Sequence, residues 1–246
     1  MQKSVTPQII AELAPTGTLR AALNMANFLL VTGESNAGLQ TGVSPDVATE
    51  IGRLLKVPVS FVLYETAGKA ADAAPENVWD IANIGAEPER AEQIAFTAAY
   101  CEIEATFMVP AESHIRSIAE VDQVGNRISV MGEAAYGLKL RSLIQHASIV
   151  SSDSIQGSVD AFAEERLEVL AALRPTLLKE KPRLPDVRIL DGNFHAVQQA
   201  IGTHRCNTAG AMWLAEYVEY IKASGFVLDA IVRHRVSGLS VAPLDL

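Results

Sequence analysis

The chain is built from short apolar segments that alternate between two spacings. Residues 17–25, GTLRAALNM, follow Pro15 and Gly17 and predict a strand. A loop rich in Asn and Gly runs from Asn27 to Gly42. SPDVATEIGRLLKV then switches to helical spacing, with Val47, Ile51, Leu54 and Leu55 on one face, Ser44 as the expected N-cap, Pro45 opening the helix and Asp46 in its first turn. PVSFVLYE alternates as a strand, TAGKAADAAPEN predicts an Ala-rich helix, VWDIANIG a strand and AEPERAEQI a short acidic turn of helix. The second half repeats the rhythm without repeating the sequence: strands at EATFMVPA, NRISVMG, ASIVSS, RLEVLAAL and DVRILD, helices at EAAYGLKLRSLI and IQGSVDAFAEE. The stretch FHAVQQAIG precedes a helical block from residue 209 to 234 that Gly225 divides in two. Residues before Pro15 read as a polar arm. Strand followed by helix, repeated, predicts a largely parallel α/β sheet, and two such series with no Gly-, Pro- or Ser-rich linker predict two closely connected lobes.

Composition narrows the function. With 246 residues, 49% apolar and 20% charged, the chain has material for a substantial core and does not resemble a disordered one. Its formal charge of −9 argues against a nucleic-acid or anionic-membrane surface, both of which need a basic face. No apolar run approaches the roughly eighteen residues of a membrane span. Cys101 and Cys206 form no CxxC, and the histidines at 114, 146, 195, 204 and 234 form no HExxH, so neither a metal site nor a cofactor is predicted. The first twelve residues, MQKSVTPQIIAE, lack a continuous apolar h-region. As written the sequence predicts a cytoplasmic protein; had an export segment been removed, it would be periplasmic.

The segment GAEPERAEQIAFTAAY, residues 85–100, resembles the (S/T)xxxxR turn followed by F(S/T)xxY of the type II periplasmic solute-binding proteins, in their amino-acid-binding branch. GTLRAALN, GVSPDVATEIGRLLKVPVSFV, VGNRISVMGEAAYGLKL and LAEYVEYIKASGFVLDAIVRH resemble the other landmarks of that family, in order, over residues 15–243. The resemblance implies two α/β lobes, each a mostly parallel sheet flanked by helices, joined by two hinge crossings and closing on a small solute. It places a discontinuous first lobe at residues 1–102 and 196–246 and a second at 103–195. It also implies an ABC permease as partner if the protein is exported.

By the same resemblance Arg90 grips the ligand carboxylate, a task suited to a planar fork of five donors. Asn83, Ile84 and Gly85 precede the arginine turn, where the family supplies backbone and hydroxyl contacts; Gly85 stands where Ser or Thr is usual. Gly132, Glu133 and Ala134 correspond to the second lobe's backbone clamp, with Glu133 replacing Thr. Leu173 occupies the position of the Asp that pairs with the ammonium of an α-amino acid, and a buried ammonium without a partner is costly. Arg174, its neighbour, offers a second positive group if it points inward, which would favour a dicarboxylate. Asn24, Asn27 and Phe28 follow the first strand and Glu65 and Thr66 the second, at the tips where parallel sheets place ligands; Gln198 lies at the second crossing. The expected function is capture of a small carboxylate, amino-acid-like, dicarboxylate or keto acid, without catalysis. The alternatives are a dehydratase-like lyase on the same scaffold, for which Glu65 or Glu133 would be the acid or base, and an orphan ligand sensor.

Overall fold

The computed structural model describes residues 4–184 and 186–245. The chain divides into two compact units, residues 1–102 with 198–246 and residues 103–197. The strands are β1 Leu19–Asn24, β2 Gly33–Glu34, β3 Gln40–Thr41, β4 Val59–Tyr64, β5 Ile81–Gly85, β6 Ile94–Pro110, β7 Arg127–Met131, β8 Ser148–Ser152, β9 Val169–Leu173, β10 Val187–Ile189, β11 His195–His204 and β12 Ser240–Val241. The helices are α1 Pro7–Leu13, α2 Val43–Leu55, α3 Ala67–Asp72, α4 Ala135–Leu143, α5 Ile155–Glu164, α6 Arg174–Glu180, α7 Thr208–Ala223 and α8 Phe226–Arg233. The chain passes between units inside β6 and β11. No helix among the described residues is long and apolar enough to cross a membrane.

The first unit orders its strands β4-β1-β5-β11-β6, with β12 also on β6. β1 runs parallel to β4 and β5, and β11 enters antiparallel to β5. All five residues of β5 are buried, as a strand covered on both faces requires. One face packs on α3 through Ala22, Ala82 and Ile84 against Ala67, Ala70 and Trp79, whose indole Nε1 donates to the Ala70 carbonyl at 2.9 Å. α2 does not start as the pattern predicts. Gly42 occupies the N-cap with φ 141°, where a Cβ would lie 2.2 Å from the Leu30 carbonyl oxygen, and Ser44 sits inside the helix with its hydroxyl 2.9 Å from that of Tyr100. The N-terminal arm is also structured: Thr6 caps α1, which docks on α7 as Glu12 accepts from the Gly210 N–H at 2.7 Å.

The second unit orders its strands β6-β9-β7-β8, with β10 also on β6. β7 is parallel to both β8 and β9, and β9 antiparallel to β6. α4 packs tightly after β7 because Gly137 has no side chain; a Cβ there would meet the Met131 carbonyl oxygen at 2.2 Å. Arg127 and Glu168 tie the start of β7 to that of β9, with Nε to Oε2 and Nη2 to Oε1 both 2.9 Å. Two features depart from the pattern. β6 begins at Ile94, ten residues before the predicted strand, and RPTLLKE, to which the pattern assigned no element, is helix α6.

Candidate functional site

In the first unit the carboxyl ends of the parallel strands converge. Register pairs Asn24 with Tyr64 and Leu23 with Asn83, while β11 brings Gln199 opposite Gly85. Ligands of open α/β sheets bind beyond such ends. After Gly85 the chain is held by the Ala86 N–H donating to the Gln198 carbonyl at 2.9 Å, then turns at Glu87, whose carbonyl accepts from the Arg90 N–H at 3.0 Å. This turn folds the Arg90 side chain back on its own strand. Its Nη1 donates to the Gly85 carbonyl at 2.7 Å, and the residue is only 6% exposed. A guanidinium in water has no need of such a seat; a buried one does. Arg90 is therefore seated at the strand end, with its Nη1 held by the Gly85 carbonyl.

Around it, Asn24 Oδ1 accepts from the Ala26 N–H at 3.1 Å and shapes the loop leaving β1. Asn27 is buried, with Oδ1 accepting from the Leu29 N–H at 3.3 Å and Nδ2 3.5 Å from Gln199 Oε1. Phe28 is half-buried beside it. Asn83 and Ile84 are wholly enclosed, and neither amide atom of Asn83 has a hydrogen-bond partner. At the second crossing the strand separates Gln198, expected at the site, from its neighbour Gln199. Neighbours on a strand point to opposite faces, so Gln198 Nε2 reaches Glu102 at 2.7 Å while Gln199 meets Asn27. The signal was Ile201: once it is assigned to the buried face, Gln199 shares that face.

Two expected residues of this unit take structural roles. Thr66 caps α3, its hydroxyl oxygen accepting from the Lys69 N–H at 3.2 Å. The Glu65 side chain is 80% exposed and ion-paired with Lys69, whose hydrogen bond holds its carboxyl below the usual range. An ionised, solvated carboxylate is a poor general acid at neutral pH.

In the second unit, Gly132, Glu133 and Ala134 form the turn between β7 and α4. The Gly132 N–H donates to the Ser152 carbonyl at 3.0 Å and that of Ala134 to Met131 at 3.3 Å, so both of these clamp donors are engaged within the unit. Glu133 lies 3.3 Å from Arg141 Nη2. Arg174 departs furthest from expectation. It opens α6 rather than extending β9, and its Nε donates to Glu104 Oε2 at 2.7 Å while Nη2 donates to the Gly192 carbonyl. Its charge is matched by a carboxylate on β6. Leu173 ends β9 and is buried.

The family model of the bacterial extracellular solute-binding proteins, family 3, matches residues 31–233. The chain belongs to that family. Solved structures agree on the fold of this family 3 protein. A mutant of ArgBP from T. maritima superposes with a TM-score of 0.73 at 18% identity, covering 93% of this chain and 100% of that one. An amino acid ABC transporter substrate-binding protein, AbpA from Streptococcus pneumoniae bound to L-arginine, gives 0.72 at 16% identity over 92% and 98%. An ancestral amino acid-binding protein described as a precursor of cyclohexadienyl dehydratase gives 0.72 at 17% identity over 93% and 99%. No curated protein matches the chain in sequence. The two-lobed α/β expectation and the family resemblance thus hold.

Proposed function

We propose that this family 3 protein captures a small carboxylate, with Arg90 as its anchor and hinge closure as the mode the family implies, and that it binds without chemical conversion. The observation that carries this reading is the buried guanidinium seated on the Gly85 carbonyl at the carboxyl ends of parallel strands. The wall residues are Asn24, Asn27, Phe28 and the backbone of Gly85. Delivery to an ABC permease is the partner the reading implies for an exported protein.

The nature of the rest of the ligand follows from Leu173. Neighbours in fold were solved with arginine or lysine, and an α-amino acid is the competing ligand. Leu173 offers no charge to an ammonium, so a keto or hydroxy acid suits this chain better. A dicarboxylate drew its support from Arg174, whose charge Glu104 already meets. The lyase reading, which the dehydratase precursor among the neighbours keeps in view, is weakened by the ion pair of Glu65.

A thermal-shift screen of zwitterionic amino acids, including arginine and lysine, against keto acids, hydroxy acids and dicarboxylates tests the reading. Stabilisation by acids lacking an ammonium is expected; preference for ordinary amino acids would refute the inference from Leu173. Overnight NMR of each hit with protein should show no product.

A further inference from the structure

We propose that Asn83 is a specificity-determining residue whose buried amide recognises a neutral hydroxyl or carboxamide carried by the bound carboxylate. The inference rests on the reading of Arg90 as anchor and adds what the remainder of the ligand must be.

Asn83 lies in the middle of the first unit's sheet, between Leu23 of β1 and Ile201 of β11 in register, and is 1% exposed. An amide carries two donor hydrogens and an acceptor oxygen, and here both Nδ2 and Oδ1 are without a partner. Unsatisfied polar atoms at such depth are uncommon in folded proteins and ask for a reason. A leucine would fill nearly the same volume without stranding polar atoms, so packing does not account for an asparagine here.

Its surroundings say which chemistry would complete it. Asn83 precedes by two residues Gly85, whose carbonyl seats Arg90. On the same strand face, two pairs further along the β5–β11 ladder, stands Gln199, which is 3% exposed and in turn meets Asn27. The side chains that this face lines up are thus the uncharged amides of Asn83, Gln199 and Asn27. An ammonium would find no negative charge among them, and a second carboxylate no cation. A hydroxyl or carboxamide, which both donates and accepts, satisfies both halves of an amide at once. Sites built to hydrogen-bond such a group reject the analogue that lacks it far more strongly than apolar pockets separate sizes.

The test is calorimetric titration of matched pairs, lactate with propionate, malate with succinate and succinamate with butyrate, into the wild-type protein and Asn83→Leu. The wild type is expected to favour the hydroxyl- or amide-bearing member of at least one pair by about tenfold or more, and Asn83→Leu to bring that ratio close to one while still binding the simple carboxylate. Equal affinities in the wild type, or an unchanged ratio in the variant, would overturn the proposal and point to a buried water as the partner of the amide. If Asn83→Leu does not fold, Asn83→Ala replaces it under the same criteria. Discrimination that vanishes in Asn83→Leu but survives in Arg90→Ala would sink the anchor alone; failure of the wild type to bind any carboxylate would overturn both.

Discussion

Arg90→Ala separates a ligand anchor from a structural arginine, because the two roles predict losses of different size in different measurements. As an anchor the guanidinium makes two charge-assisted hydrogen bonds to a carboxylate, each contributing about 1.5–3 kcal/mol. Their removal totals about 3–6 kcal/mol, and at about 1.4 kcal/mol per tenfold the dissociation constant rises roughly 10²- to 10⁴-fold. The same substitution strips the Gly85 carbonyl of the donor now 2.7 Å away. An unsatisfied buried acceptor costs about 1–3 kcal/mol, and for a chain of this length each kcal/mol lowers the midpoint by about 2–4 °C. The unliganded variant should therefore melt a few degrees below wild type. The burial of Arg90 is what sets this cost above that of removing a solvated surface arginine.

Isothermal titration with the strongest hit of the screen gives the first quantity and thermal denaturation without ligand the second. Arg90→Lys supplies the control: it keeps the charge but not the planar fork, so its affinity should fall between those of wild type and the alanine variant. An alanine variant that melts early yet binds within about threefold of wild type would show that Arg90 merely closes the turn after β5, and the proposed anchor would be wrong.

Two further outcomes follow from the second unit. Gly137→Ala places a Cβ 2.2 Å from the Met131 carbonyl oxygen and 2.8 Å from that of Gly132, both backbone atoms, so α4 must move off β7; overpacking of this kind costs about 1–3 kcal/mol, and urea denaturation should show a lowered midpoint, with wild-type stability refuting the packing. Glu168 is held below the usual carboxylate range chiefly by hydrogen bonds from the Arg127 side chain, so its contribution to folding is complete above the unfolded value near about pH 4.3 and fades as pH falls through the lower folded value. The melting-temperature gap between wild type and Glu168→Gln should stay level from neutral pH to about pH 5 and narrow below it; a gap that widens in acid would contradict the linkage.

The parts of the fold that were legible are those in which periodicity and burial coincide. β1, β5 and β9 are near-continuous apolar runs because helices cover the sheet, and α5 announces its start with Ser154, whose hydroxyl caps Gly157 at 3.0 Å. α1 carried the same kind of signal, Thr6 followed by Pro7, but its seven residues are too few for an apolar stripe to stand out. The first half of β6 was hidden for another reason. From Ala95 to Ala98 it is half-buried on successive residues, so no alternation marks it as a strand. Ser44 misled because a serine before Pro-Asp is an excellent local cap; the tight approach of Leu30 to Gly42, a contact between residues twelve apart, overrode it. At the site, residue types were readable and their engagements were not. Nothing local distinguishes Thr66, consumed as a helix cap, from Asn83, left without partners.

Residues 173 and 174 show why charge at a site must be counted after folding. In the sequence, Leu173 removes an expected negative charge and Arg174 adds a positive one, which together point to an anionic second group on the ligand. Pro175 favours the first turn of a helix, so Arg174 opens α6 instead of continuing the alternation of β9. The β6–β9 register then sets Ala105 opposite Leu173 and brings Glu104 within 2.7 Å of the guanidinium, while the carbonyls of Leu190 and Gly192 take its other donors. The added charge is cancelled inside the same unit, but the missing one is not restored. What remains at the end of β9 is electrically neutral, and in the other unit the amides of Asn27, Asn83 and Gln199 are neutral too. Counted unit by unit, these residues put a buried guanidinium, Arg90, at the carboxyl ends of the first unit's strands with neutral amides on the sheet behind it, and recommend a ligand whose groups beyond its carboxylate are polar without being charged.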